Sequence, residues 1–196
     1  MSPARLTASA RREQILDVAL EIFGGSGYHG ASMNEIAEAA GVTKPVLYQH
    51  FDSKSELFSA LLDEVGTRMR IAITKATADA EDGKAQTRLG FLAYFRWVAT
   101  DHDGFRLLFG GAARHDAEFT EQVRRITSDA ASAIAPLIAV DLEAEKRRII
   151  SHALVGLAEG ASRRLLDKGT EFDPDEIAET VSALAWAGLR ALSDAN

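Results

Sequence analysis

Residues 32–54, SMNEIAEAAGVTKPVLYQHFDSK, restrict what this 196-residue chain can fold into more than any other stretch. Ser32, with Glu35 three residues later, has the form of a helix-starting capping box. Ile36, Ala37 and Ala40 then fall on one face at helical spacing. Gly41 stands where a helix must end in a left-handed turn, which glycine adopts without steric cost. Val42 fits the corner between two short helices. Thr43 is placed to cap the second, and Pro45 lies in its first turn, where a missing N–H leaves no helix bond unmade. Leu47 and Phe51, four apart, give that helix an inner face. Helix, glycine turn, helix is the layout of a helix-turn-helix, whose second helix enters the major groove of DNA.

The outer face of the second helix carries Thr43, Lys44, Pro45, Tyr48, Gln49 and His50. Hydrogen-bonding and aromatic groups of this kind suit base edges, thymine methyls and phosphates. Asp52 and Ser53 end the helix, and Ser53 with Glu56 repeats the capping box for the next one. Lys54 therefore stands at a helix N-terminus, a natural place to hold a phosphate. The same layout also occurs in plain helical bundles. Here it comes with two capping boxes, Tyr48, Lys54 and a preceding helix in register, which together favour DNA.

At these residues the chain resembles the tetracycline-repressor (TetR) family of one-component transcriptional regulators. The resemblance rests on Ile15, Leu16, Ala19, Phe23, Gly27, Tyr28, Ile36, Ala37, Gly41, Val42, Leu47, Tyr48, Phe51, Lys54 and Leu57. It covers the N-terminal quarter of the chain; beyond that, only size and helical character agree. Where many members carry Ser-x-Gly, this chain has Thr43-Lys44-Pro45, so the base preference is its own. The resemblance implies phosphate contacts from Ser32, Tyr48 and Lys54, a packing role for Tyr28, an inducer site in the middle of the chain, and a four-helix dimer interface from the last two helices.

Composition sets the limits. The 46% hydrophobic content is that of a globular protein with a proper core. There is no cysteine, which excludes disulfides and thiolate-bound metal and fits a reducing cytoplasm. The opening MSPARLTASARRE has no apolar core of the signal-peptide kind, and no apolar run reaches the length of a membrane span. A soluble, cytoplasmic protein is expected. The net charge of −7 runs against a nucleic-acid partner. It is unevenly spread, however: residues 1–54 hold five basic and six acidic groups, so most of the excess lies beyond them. Arg5, Arg11, Arg12, Lys44 and Lys54 are available to a DNA backbone, and a dimer is needed for useful affinity.

Along the chain, Ile15, Val18, Ala19, Ile22 and Phe23 predict a helix from about Ser9 to Phe23. Gly24-Gly25-Ser26-Gly27 then predicts a turn; without a preceding strand or a following Gly-Lys-Ser/Thr it is no phosphate loop. A long helix from Ser53 to Thr77 joins two domains, 1–53 and 54–196, before a polar break at Ala80-Glu81-Asp82-Gly83. Helical segments at 87–100 and 105–109 follow, with Asp101-His102-Asp103-Gly104 between them as a break. Another runs from about Asp116 to Leu137, ended or kinked by Pro136. Two long helices close the chain. The first, capped by Asp141, has Ile149, Ile150, Ala153, Leu154, Leu157, Ala161 and Leu165 as its stripe and Lys168-Gly169 as its end. Its Gly156 and Gly160 predict close approach of another backbone. The second starts at Asp173-Pro174-Asp175-Glu176 and carries Ile177, Val181, Leu184, Gly188 and Leu192, with Trp186 on another face.

The middle region collects Phe91, Tyr94, Phe95, Phe105, Phe109 and Phe119. Such a cluster is either ordinary core or the wall of a pocket for a small, mainly apolar ligand; His152 and Glu159 are the polar groups expected near it. His102-Asp103 and His115-Asp116 supply metal-type ligands, but both steps fall where turns and caps favour Asp, and no His-x-x-x-His pattern accompanies them. No nucleophile or cofactor motif is present. The expected architecture is therefore all-α. It comprises an N-terminal three-helix helix-turn-helix unit joined by a long helix to a C-terminal ligand-binding and dimerisation domain. The expected function is a homodimeric, ligand-responsive repressor of a palindromic operator, with no enzyme activity, cofactor, metal or membrane partner. A His/Asp metal-dependent hydrolase and a dimeric adaptor that leaves its DNA motif unused are the alternatives.

Overall fold

The computed structural model describes residues 6–110, 117–138, 142–167 and 172–194. Arg5, His115-Asp116, Asp141 and Lys168-Gly169, for which roles are expected above, lie outside the described residues. The described chain is helical: α1 (Ala8–Gly30), α2 (Met33–Ala39), α3 (Lys44–Tyr48), α4 (Lys54–Thr77), α5 (Gly83–Thr100), α6 (His102–Phe109), α7 (Ala117–Ile134), α8 (Ala144–Asp167) and α9 (Pro174–Asp194). It forms two compact units. Met1–Val65 with Asp103–Val123 makes the first, and Gly66–His102 with Arg124–Asn196 the second. No described helix is long and apolar enough to cross a membrane.

The first unit is built on complete burial of the apolar positions in its short helices. Ile15, Leu16, Ala19 and Phe23 of α1, Ile36 and Ala37 of α2, Leu47 of α3, and Phe51 beyond it all face inward. Phe58 is the hub, with ring centroids of Phe119, Tyr28 and Phe23 at 4.6, 5.0 and 5.0 Å. A side chain this completely enclosed contributes roughly 1.5–3 kcal/mol. The guanidinium of Arg12 covers the Phe51 ring at 4.7 Å, and Gln14 Nε2 donates to the carbonyl of Ala40 at 3.2 Å, tying α1 to the end of α2. From the other side, Gln122 of α7 donates to the Ser59 carbonyl of α4 at 2.8 Å and accepts from the Ser59 hydroxyl at 2.9 Å.

The glycine-rich stretch differs from its predicted turn. α1 continues through Gly24 and Gly25 and leaves helical geometry only at Gly27, with φ at 70°. Gly24 serves packing: a Cβ there would come within 2.7 Å of the Asp103 side chain. The predicted break at 101–104 is likewise shorter. Only Asp101 lies between helices, its N–H returning to the Trp97 carbonyl at 2.8 Å, and His102 already begins α6.

In the second unit α5 packs along α9. Asp82 starts α5 by accepting from the N–H of Ala85 at 2.7 Å, so the helix begins at Gly83, ahead of the predicted residue 87. Phe91, Tyr94, Phe95, Trp97 and Val98 form its buried face. Arg96 holds Asp175 with two hydrogen bonds, at 2.9 and 2.7 Å, across the start of α9. The Pro136 expectation is met by a short 3-10 turn, Ala135–Leu137, after α7.

The stripes predicted for the last two helices are met in part: Ile150, Leu154 and Val181 pack inward, whereas Ile149, Ala153, Leu184, Gly188 and Leu192 are exposed. On α8 the buried residues are Ser151, Ala158 and Ser162, while Ile149 is 61% exposed and Ala153 also faces out. On α9 they are Ala178, Val181, Ser182, Ala185 and Leu189, while Leu184 is 65% exposed and Gly188 and Leu192 accompany it. Val181 and Leu189 are buried with these small residues, and Ile150, Leu154 and Trp186 pack half-buried against Ile138 and Leu189, whereas Ile149, Leu184 and Leu192 lie on the outer faces. Among the described residues a Cβ on Gly156 or Gly160 would meet nothing within 4 Å, so the close approach expected at these two is not made there, and Gly188 is equally open.

Candidate functional site

Local chemistry shapes the α2–α3 corner. The Ser32 hydroxyl accepts from the N–H of Glu35 at 3.2 Å, fixing the start of α2. At the other end Gly41 takes φ of 62°, and the N–H of Val42 returns to the carbonyl of Ala37 at 2.9 Å. This is the left-handed C-terminal turn that a side chain at position 41 would strain. α3 follows at once. Thr43 flanks it without a side-chain capping bond, and Pro45 stands in its first turn.

With Leu47 wholly buried beneath it, α3 presents Thr43, Lys44, Pro45, Tyr48 and Gln49 together on an exposed face, with His50 half-buried at its edge. Tyr48 is 40% exposed, and the Lys44 ammonium lies 6.0 Å from its ring centroid. Donors, acceptors and a flat aromatic side chain are thus grouped on a helix narrow enough for a DNA groove.

Lys54 is engaged differently. Its ammonium donates to the carbonyls of Tyr28, at 2.8 Å, and Ala31, at 3.0 Å, and lies 4.5 Å from the centroid of the Tyr28 ring. Two of its three N–H groups therefore fasten the chain that leads into Ser32 and α2. The second capping box is split between neighbours. Ser53 Oγ accepts from the N–H of Glu56 at 3.0 Å, and the Glu56 carboxylate accepts from the N–H of Asp52.

The aromatic residues grouped in the sequence fall into two sets. Phe105 and Phe109, with ring centroids 5.0 Å apart, and Phe119 belong to the first unit. Phe91, Tyr94 and Phe95 belong to the second, with centroids 6.3 Å apart for Phe91–Phe95 and 5.4 Å for Tyr94–Phe95. His152 is exposed on α8, whereas Glu159 is half-buried and pairs with Arg163 at 2.8 Å. Sequence reasoning passed over Ser162 and Arg163. The signal was present as the Ser151, Ala158, Ser162 series, small and polar residues at helical spacing. Burial raises the Tyr94 pKa well above the ordinary tyrosine value, and the nearby Ser162 hydroxyl draws it back only in part, so the phenol stays protonated. Among the described residues, no three His, Asp or Glu side chains are grouped as a metal would require.

Comparison with known proteins agrees with this geometry. Residues 15–61 match the family described as bacterial regulatory proteins, tetR family, and residues 84–188 match the tetracyclin repressor-like C-terminal domain. The HTH-type transcriptional activator FasR of Mycolicibacterium smegmatis is 36% identical over 94% of this chain and 85% of its own. A TetR-like transcriptional regulator from Rhodococcus sp. RHA1 superposes with a TM-score of 0.78 at 29% identity, covering 95% of this chain and 99% of that one. The fold is also that of the transcriptional regulator FadR from Bacillus subtilis, solved with stearoyl-CoA. Its TM-score is 0.78 at 18% identity, over 88% of this chain and 96% of that one. These relatives are transcriptional regulators, not enzymes.

Proposed function

Because the chain belongs to the tetR family of bacterial regulatory proteins, we propose that it is a homodimeric repressor of a palindromic operator, released by a small, mainly apolar ligand. The observation that carries this reading is the exposed face of α3, held out by the Ser32 cap and the Gly41 turn. Lys44, Pro45, Tyr48 and His50 make the base and near-base contacts. Ser32, Tyr48 and the remaining N–H of Lys54 meet phosphates. Residues 1–53 form the DNA-binding domain and 54–196 the ligand-binding and dimerisation domain, acting in the cytoplasm, where the DNA is.

Two copies associate through α8 and α9. The outward faces of these helices join Ile149, Leu184 and Leu192 to Gly156, Gly160 and Gly188, whose open Cβ positions leave room for a partner backbone. The two α3 helices then enter successive major grooves about one helical turn, or ~34 Å, apart. The effector binds among the aromatic residues of the second unit, with Phe91, Tyr94 and Phe95 against it and His152 and Glu159 as further contacts; Phe105, Phe109 and Phe119 pack in the first unit and are left out of this site. The Bacillus subtilis FadR of the same fold was solved in complex with stearoyl-CoA, a ligand whose stearoyl chain is apolar and whose coenzyme A portion is charged. Release needs only that the ligand bind more tightly to the conformer whose reading heads do not match the operator. FasR is named an activator, so the same occupancy raises transcription wherever the operator lies to recruit polymerase rather than block it.

Selection of random duplex DNA by the purified protein at two salt concentrations tests the reading. A recovered palindrome, bound with salt-dependent affinity by the protein and lost in Tyr48→Ala, supports it. Recovery of no consensus at either salt concentration refutes sequence-specific binding.

A further inference from the structure

The second unit contains a polar arrangement that its own packing does not explain. Tyr94 of α5 is 6% exposed and Ser162 of α8 is 0% exposed; the Ser162 hydroxyl lies near enough to the phenol to lower its pKa, yet neither Tyr94 Oη nor Ser162 Oγ has a hydrogen bond of full geometry. The two oxygens belong to one cluster: the Ser162 hydroxyl acts on the Tyr94 phenol as a hydrogen-bonding neighbour, and Glu159 and Arg163 act on it through their charges. Arg163 pairs with Glu159 at 2.8 Å while its Nε is buried without a hydrogen-bond partner. A buried hydroxyl with no partner carries a desolvation penalty that phenylalanine at 94 or alanine at 162 would avoid. Native interiors rarely leave such groups unsatisfied unless water or a ligand completes them.

Resting on the effector site proposed above, we propose that Tyr94, Ser162 and Arg163 form its polar anchor. The effector is then an otherwise apolar molecule bearing an uncharged acceptor oxygen, such as the carbonyl of an ester, thioester or ketone. The donor inventory sets the acceptor. The Tyr94 phenol keeps its proton, the Arg163 Nε can only donate, and the Ser162 hydroxyl rotates to donate or accept. The ion pair sets the charge. Arg163 is already balanced by Glu159, so a carboxylate would enter a low-dielectric site uncompensated and face the Glu159 charge. The rings set the remainder: Tyr94 packs edge-on against Phe95 at 5.4 Å and at a tilt against Trp97 at 5.9 Å, a wall suited to hydrocarbon.

The test uses methyl decanoate, decanoic acid and decane, one chain length with three head groups, titrated against the full-length protein and its Tyr94→Phe and Ser162→Ala variants. Binding is read by tryptophan fluorescence and by displacement of an environment-sensitive dye, with thermal unfolding of the ligand-free proteins alongside. The ester is expected to bind more tightly than either the acid or the alkane. Each variant should weaken the ester about tenfold, the worth of one hydrogen bond, without changing decane binding. The ligand-free variants should melt no lower than the parent, because each loses an unsatisfied group. Equal binding of ester and decane, unchanged in the variants, overturns the anchor while leaving an apolar effector site standing. Lower melting of both variants with unaltered ester binding also overturns it, since a buried water would then complete these groups. If none of the three probes binds while the protein still binds DNA, the apolar effector site itself fails, and the anchor with it.

Discussion

The corner of α2 and α3 and the outer faces of α8 and α9 are both exposed, and their chemistry is opposite. Around the corner the large apolar side chains, Ile36, Leu47 and Phe51, are wholly buried, and what is exposed is mostly polar. On α8 and α9 the buried line includes Ser151, Ala158, Ser162 and Ser182, while Ile149, Leu184 and Leu192 face out. A surface that meets a hydrated polyanion needs donors and flat rings that lose little when water returns. A surface that meets a second protein needs apolar area and room for a backbone. Hydrophobic periodicity therefore marks the inside of the first region and both faces of the second, where Val181 and Leu189 lie inward and Ile149, Leu184 and Leu192 outward.

The largest expected effect comes from attacking the second surface. Ile149→Glu with Leu184→Glu should leave helical content intact, since both sites are exposed, yet convert the proposed dimer to monomer in sedimentation. Operator affinity should then fall by about 10²–10⁴-fold as the two reading heads lose their linkage. A variant that stays dimeric would show that these faces do not join the subunits. Next in size is one substitution made in both regions. Leu47→Ala should cost about 2–5 kcal/mol in denaturant unfolding, as a wholly buried leucine does, whereas Leu184→Ala should move the stability of the isolated subunit by no more than about 0.5 kcal/mol. Similar losses at both sites would erase the distinction.

A smaller effect separates contact types within the corner. Lys44→Ala should weaken binding to all sequences nearly alike and reduce the salt slope by about one unit per half-site if Lys44 meets a phosphate. If it meets a base, specificity should relax at one position with the slope almost unchanged. The smallest effect concerns the start of α9. The hydrogen bonds from Arg96, followed by its charge, hold the Asp175 carboxyl below its ordinary value of 3.8. A depressed folded-state pKa gives stability that is present above the unfolded value and lost as pH falls through the folded one. Asp175→Asn should thus be slightly less stable than the parent at neutral pH, and the gap should close in acid unfolding below about pH 3.8. A gap that persists there would assign the effect to helix capping instead of the ion pair.

These contrasts also explain what the sequence could show. The Ser32 cap, the Gly41 turn and the Ser53 start of α4 were legible because each depends on residues within five positions of one another. The outer face of α3 followed from Leu47 and Phe51 alone. Gly24 was misread as part of a turn because its role depends on Asp103, which only folding brings beside it. The carbonyls that receive Lys54 belong to the distant end of α1 and the residue after it, so a lysine at a helix start read as a phosphate ligand and nothing more. α8 and α9 were ambiguous for a different reason. With apolar residues on two faces, spacing alone does not say which face turns inward, and the small residues that pack there carry little hydrophobic signal.

The central claim is that two copies of α3 read one operator. Hydroxyl-radical footprinting of the selected duplex tests it most directly, using the parent protein and Tyr48→Ala. The account predicts two protected patches related by a dyad, centred about one helical turn apart, both lost in the variant at concentrations that saturate the parent. A single patch, or protection that survives unchanged in Tyr48→Ala, would contradict it.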